Sequence, residues 1–454
     1  MLPISKLRFD ALAGYSRKPW ASVLFEELEW YSNQNDRVLA LIARDRQDND
    51  FSAAIFGRDR IGRFRAVHLL SFAESINYIR DTLGQEMDEW AARDDADYAQ
   101  GDESGHPLDF FAPVVPEKRF HSSFATVRAG EKYSPARELI SSMMHYYEDP
   151  DGNFVEQFQT TGFDARFWEL YVFATFNELG YTFDRKHAAP DFLCQGILGE
   201  FFIEAVTVNP TVEKGISLET GPPRNEMQYR EYKAHYLPIK FGSALYSKLQ
   251  KRYWDLPHIA GKPIVFAIQD FHFPASMTWS EQSLSDYLYG LKFSALYDAG
   301  GRLNVTSQPI KEHRWGKKVI PSGFFCLAGA EHVSAVIANA QGTLTKFNRI
   351  GYKAGFGSKH VKMYRLGTRY VHDENAAFPA PFNVAVHDES YVETWVEGMS
   401  VYHNPFAVVP LPVEMIPGAA HHFVEEGVMN SLIPAFHPYG TRTIITVVSD
   451  DQIE

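Results

Sequence analysis

Three acidic residues carry the strongest chemical signal in the sequence: Glu169, Asp191 and Glu204. Glu204 interrupts the apolar run FFIEAVTV at 201–208, and a carboxylate inside such a run is costly unless it is paired or metal-bound. Asp191 precedes it by thirteen residues, which lets the two carboxylates sit side by side on adjacent strands. Groups so placed repel each other unless a cation lies between them, and hard oxygen ligands with room for water suit magnesium. Taken singly, Glu169 is a first-turn residue favoured by the helix dipole, and Asp191 after Pro190 could merely start a turn.

The elements that must hold these residues follow from periodicity. Apolar Leu170, Phe173, Ala174, Phe176 and Leu179 predict a helix from 167 to Gly180, with Glu169 in its first turn. Strands are expected at 181–185, 190–194 and 199–208, the last two forming an antiparallel hairpin that turns through Gly196 and Gly199. A second helix is expected over 237–253, and the continuous apolar stretch after Gly261 predicts a fully buried strand to 270.

This order resembles the restriction-endonuclease-like, or PD-(D/E)XK, superfamily of nucleases. Pro190-Asp191 looks like the PD, and Glu204-Ala205-Val206 occupies the (D/E)XK, the likeness covering residues 160–275. It implies an α/β core, mixed α+β overall, with a mixed central sheet flanked by helices. It further implies Mg²⁺ or Mn²⁺ held by Asp191, Glu204 and the backbone carbonyl of Ala205, with Glu169 matching the acidic residue of the first helix. The implied reaction is hydrolysis of DNA phosphodiester bonds by metal-activated water, in bacterial defence or DNA processing. The implied partner is nucleic acid, DNA before RNA, with a homo-oligomer or protein partner left open; no membrane is expected, because no stretch of about 18 apolar residues occurs.

One position departs from the pattern, because Val206 stands where the family has its water-orienting lysine. Some members are similar in placing that lysine on the following helix. In a projection of that helix Phe241, Leu245, Tyr246, Leu249 and Tyr253 make the buried stripe, Lys240 and Lys251 lie opposite, and Lys248 flanks the edge. Lys248 is therefore the first candidate and Lys240 the second. The alternative is a nuclease-like fold that no longer cuts and serves as a nucleic-acid-binding or assembly subunit, for which Val206 is the best support.

A net charge of −13 argues against generic attraction to polyanions. Between Glu331 and Asp373, however, no acidic residue occurs, and Lys346, Arg349, Lys353, Lys359, Lys362 and Arg365 alternate with aromatic residues and with Gly351, Gly355 and Gly357. Such a strip could bind nucleic acid through phosphate contacts and base stacking, or could pair with the acidic remainder of the chain. The segment does not match a phosphate-loop pattern. His187 either touches a phosphate or caps a loop, and His403, His421 and His422 lack ligand spacing.

At 454 residues, 45% hydrophobic and 14% aromatic, the chain is expected to be multidomain, soluble and cytoplasmic, without a signal-peptide core. Its two cysteines, Cys194 and Cys326, are expected to be buried thiols rather than a disulfide. The expected units are an N-terminal α+β domain with an antiparallel meander (1–115), the nuclease-like core (116–300) and a loop-rich α+β region with the basic strip (301–454). Helices are expected at 72–83, 135–147 and 279–297, strands at 324–328, 331–338 and 441–448, and a loop carrying Lys311, His313, Arg314, Lys317 and Lys318 between them.

Overall fold

The computed structural model describes residues 1–185, 187, 189–213, 216–217, 223 and 225–449. The N-terminal strands β1 (Leu2–Pro3), β2 (Phe25–Ser32), β3 (Val38–Asp45), β4 (Phe51–Arg58) and β5 (Phe64–Leu69) pair in sequence order as an antiparallel sheet. Val38, Ala40 and Ile42 alternate on β3 and meet Ile79, Leu83, Met87 and Trp90 of helix α1 (Ile76–Ala91). That helix begins later than the expected 72–83, because the Ser75 hydroxyl supplies the cap by accepting from the Tyr78 N–H.

Helices α2 (Ser134–Met144) and α3 (Phe163–Glu178) lead into β6 (Thr182–Asp184), β7 (Phe192–Gly196) and β8 (Gly199–Val208). Then follow α4 (Leu237–Leu249), β9 (Ile264–Asp270) and α5 (Met277–Tyr289). Two hairpins come next, β10 (Leu291–Tyr297) with β11 (Leu303–Pro309) and β12 (Glu312–Trp315) with β13 (Lys318–Pro321). The chain continues through β14 (Ala335–Asn339), α6 (Leu344–Lys353), β15 (Val361–Arg369), β16 (Ala380–Ala385), β17 (Met399–His403), β18 (Ala420–Glu425), β19 (Val428–Leu432) and β20 (Pro438–Val447).

Eight strands build one mixed sheet in the order β19-β18-β17-β14-β9-β8-β7-β6, so the fold is mixed α+β with helices on both faces of this sheet. β6, β7 and β8 are an antiparallel meander, and β8, β9 and β14 run parallel. The two-residue period of a strand decides which side each residue serves. On β9, Val265 and Ala267 face the α3 layer with Trp168 and Tyr171, while Ile264, Phe266 and Ile268 face the α4 layer with Phe241, Leu245 and Leu249. The Trp168 indole N–H donates to the Ala267 carbonyl at 2.8 Å, so α3 is tied to the sheet by a hydrogen bond as well as by burial. Hydrogen bonding in this sheet runs across position 300, since β14, β17, β18 and β19 complete it.

Several expectations need correction. The helix expected over 279–297 stops at Tyr289, where Gly290 takes a left-handed conformation (φ 67°), and the remainder forms β10. The strand expected at 324–328 is a single helical turn, Phe324–Cys326. The first site helix begins at Phe163, four residues early, which moves Glu169 from its first turn to its second. Tyr253 lies beyond the end of α4, separated from it by Arg252 at a φ of 51°. Cys194 is buried, but Cys326 is exposed. Among the described residues no helix is long and apolar enough to cross a membrane.

Helix α6, although far along the chain, packs tightly on α2. A Cβ at Gly351 would lie 2.3 Å from the Pro135 carbonyl oxygen, closer than any real contact, so only glycine permits this approach. Gly351→Ala is expected to lower the unfolding free energy by about 1–3 kcal/mol, the range for overpacking. Denaturant titration would show this as a lower midpoint, and an unchanged midpoint would disprove the close packing.

Candidate functional site

The hairpin of β7 and β8 sets the site. Phe192 pairs with Ile203 and Leu193 with Phe202, so continuing the register places Asp191, just before β7, directly opposite Glu204. Even-numbered residues of β8 bond toward β9: the Phe202 N–H donates to Pro263, and the Val208 carbonyl accepts from Phe271. The N–H and C=O of Ala205 consequently point the other way, toward Asp191. The Ala205 N–H donates to Asp191 Oδ2 at 2.7 Å, and its carbonyl is presented on the same side.

Glu204 is 4% exposed and projects among Phe202, Val206 and Val208 toward α4. There the Lys248 ammonium, in the last turn of the helix, donates to Glu204 Oε1. Of the two candidate lysines, Lys248 is the one whose ammonium reaches Glu204. Lys240 does not: it donates to the Asn209 carbonyl (2.7 Å) and Thr211 Oγ1 (2.8 Å), five and seven residues beyond Glu204. Val206, on the same face as Glu204, is core.

Glu169 enters from α3, on the other face of the sheet. Arg166 Nη1 donates to both of its oxygens (2.9 and 2.8 Å), and the Tyr147 hydroxyl donates to Oε2 at 3.1 Å. The Arg185 guanidinium lies 4.5 Å from the Tyr147 ring and 5.0 Å from that of Phe192. The i,i+3 spacing of Arg166 and Glu169 is a signal the sequence offered, whereas Tyr147, Arg185 and Tyr253 are brought in by tertiary folding alone.

Electrostatics reflect an excess of negative charge. Burial, then the charges of Glu204 and Glu169, push the Asp191 carboxyl up to about 8, against the opposing pull of Lys248 and the Ala205 N–H. Burial alone would lower Lys248, but Glu204, Asp191 and Glu169 outweigh it and hold the ammonium above its ordinary value, so it is a fixed cation. Burial and the neighbouring Glu204 keep the Tyr253 hydroxyl protonated. Among the described residues no Lys, Arg or His forms an ion pair with Asp191, and no three His, Cys, Asp or Glu groups gather as a ready metal cage. With Glu169 drawn aside by Arg166, the oxygen donors that remain are Asp191, Glu204 and the Ala205 carbonyl, a hard set that fits a magnesium-type ion completed by water.

The basic strip is a correction. Lys346, Arg349 and Arg365 are each at most 1% exposed and surround Glu393 rather than solvent. Arg349 donates to both Glu393 oxygens (2.8 and 2.6 Å), Arg365 donates to Glu397 at 2.6 Å and lies 3.5 Å from Glu393, and Lys346 stands 3.6 Å from it. These three are structural and cannot grip substrate. The surface members are half-buried Lys353, which donates to the Asp388 carbonyl at 2.8 Å, exposed Lys359 and half-buried Lys362. Of the expected histidines, His187 stacks on His258 at 3.8 Å, and His403 Nε2 bonds His421 Nδ1 at 2.9 Å.

Two outcomes follow. Glu393→Ala removes the carboxylate that Arg349, Lys346 and Arg365 share, leaving Arg349 without an ion-pair partner among the described residues and Arg365 with Glu397 alone, and should cost about 3–5 kcal/mol in denaturant unfolding. A loss of only about 0–1 kcal/mol would mark the cluster as surface-like. For Asp191, the folded protein must keep a proton that the unfolded chain releases near pH 4, so stability falls as pH rises from about 4 to about 8. Asp191→Asn should flatten that slope, and parallel stability profiles for the two proteins would rule out the raised carboxyl. No family model matches the chain, and no curated protein or solved structure shows significant similarity to it.

Proposed function

We propose that this protein is a divalent-metal-dependent phosphodiesterase that cleaves DNA, of the PD-(D/E)XK kind. One observation carries the proposal: Asp191 and Glu204 face each other across the β7–β8 register, and Lys248 from the following helix donates into that pair. An aspartate at the start of one hairpin strand, a glutamate on the next and a helix-borne lysine are the groups this chemistry uses, in the order it uses them.

Asp191, Glu204 and the Ala205 carbonyl would hold the ion, which supplies charge stabilisation at the scissile phosphate and lowers the pKa of a bound water. The chain's own residues do the rest. The Ala205 N–H fixes Asp191 Oδ2, so the carboxylate is oriented before any ligand arrives. Lys248 is held charged by the carboxylates around it and therefore acts as a donor that orients a phosphate oxygen or water, not as a proton acceptor. The proton that Asp191 retains up to about pH 8 competes with a cation for the same oxygens, so the site is more receptive as pH rises toward that value.

A second reading is favoured by the ion pair itself: Lys248 neutralises Glu204 internally while Val206 contributes only packing, as in a nuclease-like fold reduced to binding nucleic acid. Incubation of the full chain with circular duplex and single-stranded DNA plus Mg²⁺ or Mn²⁺ separates the two. The parent is expected to cut, and Asp191→Ala or Lys248→Ala to cut at least about 100-fold more slowly. Cutting by Asp191→Ala at the parent rate would reject the site, and binding by the parent without cutting would favour the second reading.

A further inference from the structure

With half of the expected basic strip buried, the nucleic-acid surface must be sought elsewhere. The other basic run, residues 311–318, is the β12–β13 hairpin, where Lys311, Arg314, Lys317 and Lys318 are all exposed. This hairpin is anchored, not loose. His313 is fully buried between the Ala234 carbonyl (Nδ1, 2.8 Å) and Ser322 Oγ (Nε2, 2.8 Å). Gly242 on α4 lets the hairpin lie directly on the helix, since a Cβ there would meet Ile320 at 2.6 Å.

Anchoring aims Trp315 at the beginning of α4, where its ring lies 5.1 Å from that of Tyr236. Between them and the end of β8 opens a cavity of about 520 Å³, bordered by Trp315, Tyr236, Lys240, Lys318, Asn209 and Thr207. Lys318 places its ammonium at the wall, donating to Ser243 Oγ at 2.6 Å, and an ammonium has three donors to give. Lys240 borders the same cavity 5.9 Å from the Tyr236 ring, its ammonium already donating to the Asn209 carbonyl and Thr211 Oγ1.

We infer that this cavity binds an unpaired nucleotide of the DNA strand whose backbone passes Lys248, with the base stacked on Trp315 and its phosphate held by Lys318. The inference rests on the nuclease reading above and adds to it the class of substrate: a strand with at least one unstacked base beside the cleavage point. Two features favour that occupant. An aromatic face with an adjacent ammonium matches the two halves of a nucleotide, and only an unpaired base has a free face to offer. Lys318 bonds Ser243, five residues or about 7.5 Å before Lys248 on the same helix, so one strand can span both.

Binding is measured in EDTA, where no cutting occurs, by fluorescence anisotropy of a labelled single-stranded oligonucleotide and of a blunt duplex, using the full chain. Trp315→Ala should weaken binding of the single strand about 10-fold, Trp315→Phe should restore most of it, and Lys318→Ala should weaken it and lower the salt dependence. Duplex affinity should be unmoved by Trp315→Ala. Trp315 is 37% exposed, so the variants should fold, and matching circular dichroism verifies it. Unchanged single-strand affinity in Trp315→Ala, or no single-strand binding by the parent, overturns the inference whatever the Mg²⁺ cleavage assay shows. Displacement of the oligonucleotide by an equal concentration of a free mononucleotide assigns the cavity to nucleotide alone and overturns the strand assignment. Cleavage that persists beside either result leaves the nuclease reading standing.

Discussion

The structure is organised around a repulsion. Two carboxylates are brought opposite each other at the open end of a hairpin, in a setting where burial already disfavours charge, and a third stands close enough to add to the field. The chain answers with one ammonium, which is bonded to Glu204 and not to Asp191. The imbalance leaves Asp191 holding a proton at neutral pH, a state that a divalent cation would relieve by taking the proton's place. Pairs of this kind are expensive to maintain, and the surrounding order is what maintains them.

That order comes from the sheet. Because side chains alternate across it, a one-residue slip of β8 would turn Glu204 into the α3 layer and Ile203 toward α4, unfavourably in both places. The apolar layers on the two faces therefore fix the register, and the register fixes the site. The Ala205 N–H adds a local constraint, since its hydrogen bond to Asp191 substitutes for the ladder partner that β7 no longer provides at that point.

The hairpin was legible because its evidence is local. Glycines bound β8 on one side, Glu204 stands out against apolar neighbours, and the helical period placed Lys248 at the edge of the buried stripe of α4. The basic strip misled for the opposite reason. Lys346, Arg349 and Arg365 look unopposed within their own segment, but Glu393 and Glu397 return from later in the chain to pair with them, and no window of sequence displays that. Gly290 could have been read as a helix stop, and the helix was overextended because residues on both sides are compatible with helix. His313 gave no sign of anchoring its hairpin, since a lone histidine acquires partners such as the Ala234 carbonyl only on folding.

The cation that meets Glu204 comes from a helix and not from the strand, and this has a mechanical consequence. A lysine at position 206 would share the rigid backbone of Glu204, whereas Lys248 is correctly placed only if α4 is correctly seated on the sheet. The seating is enforced on one side by Phe241, Leu245 and Leu249 against Phe202, Val206 and Phe266, and on the other by the β12–β13 hairpin at Gly242. The same helix thus carries the cation of the acidic site near one end and borders the Trp315 cavity near the other. Were the proposed strand bound in that cavity, it would lie against the element that positions Lys248, and any change in the seating of α4 would be felt at both places.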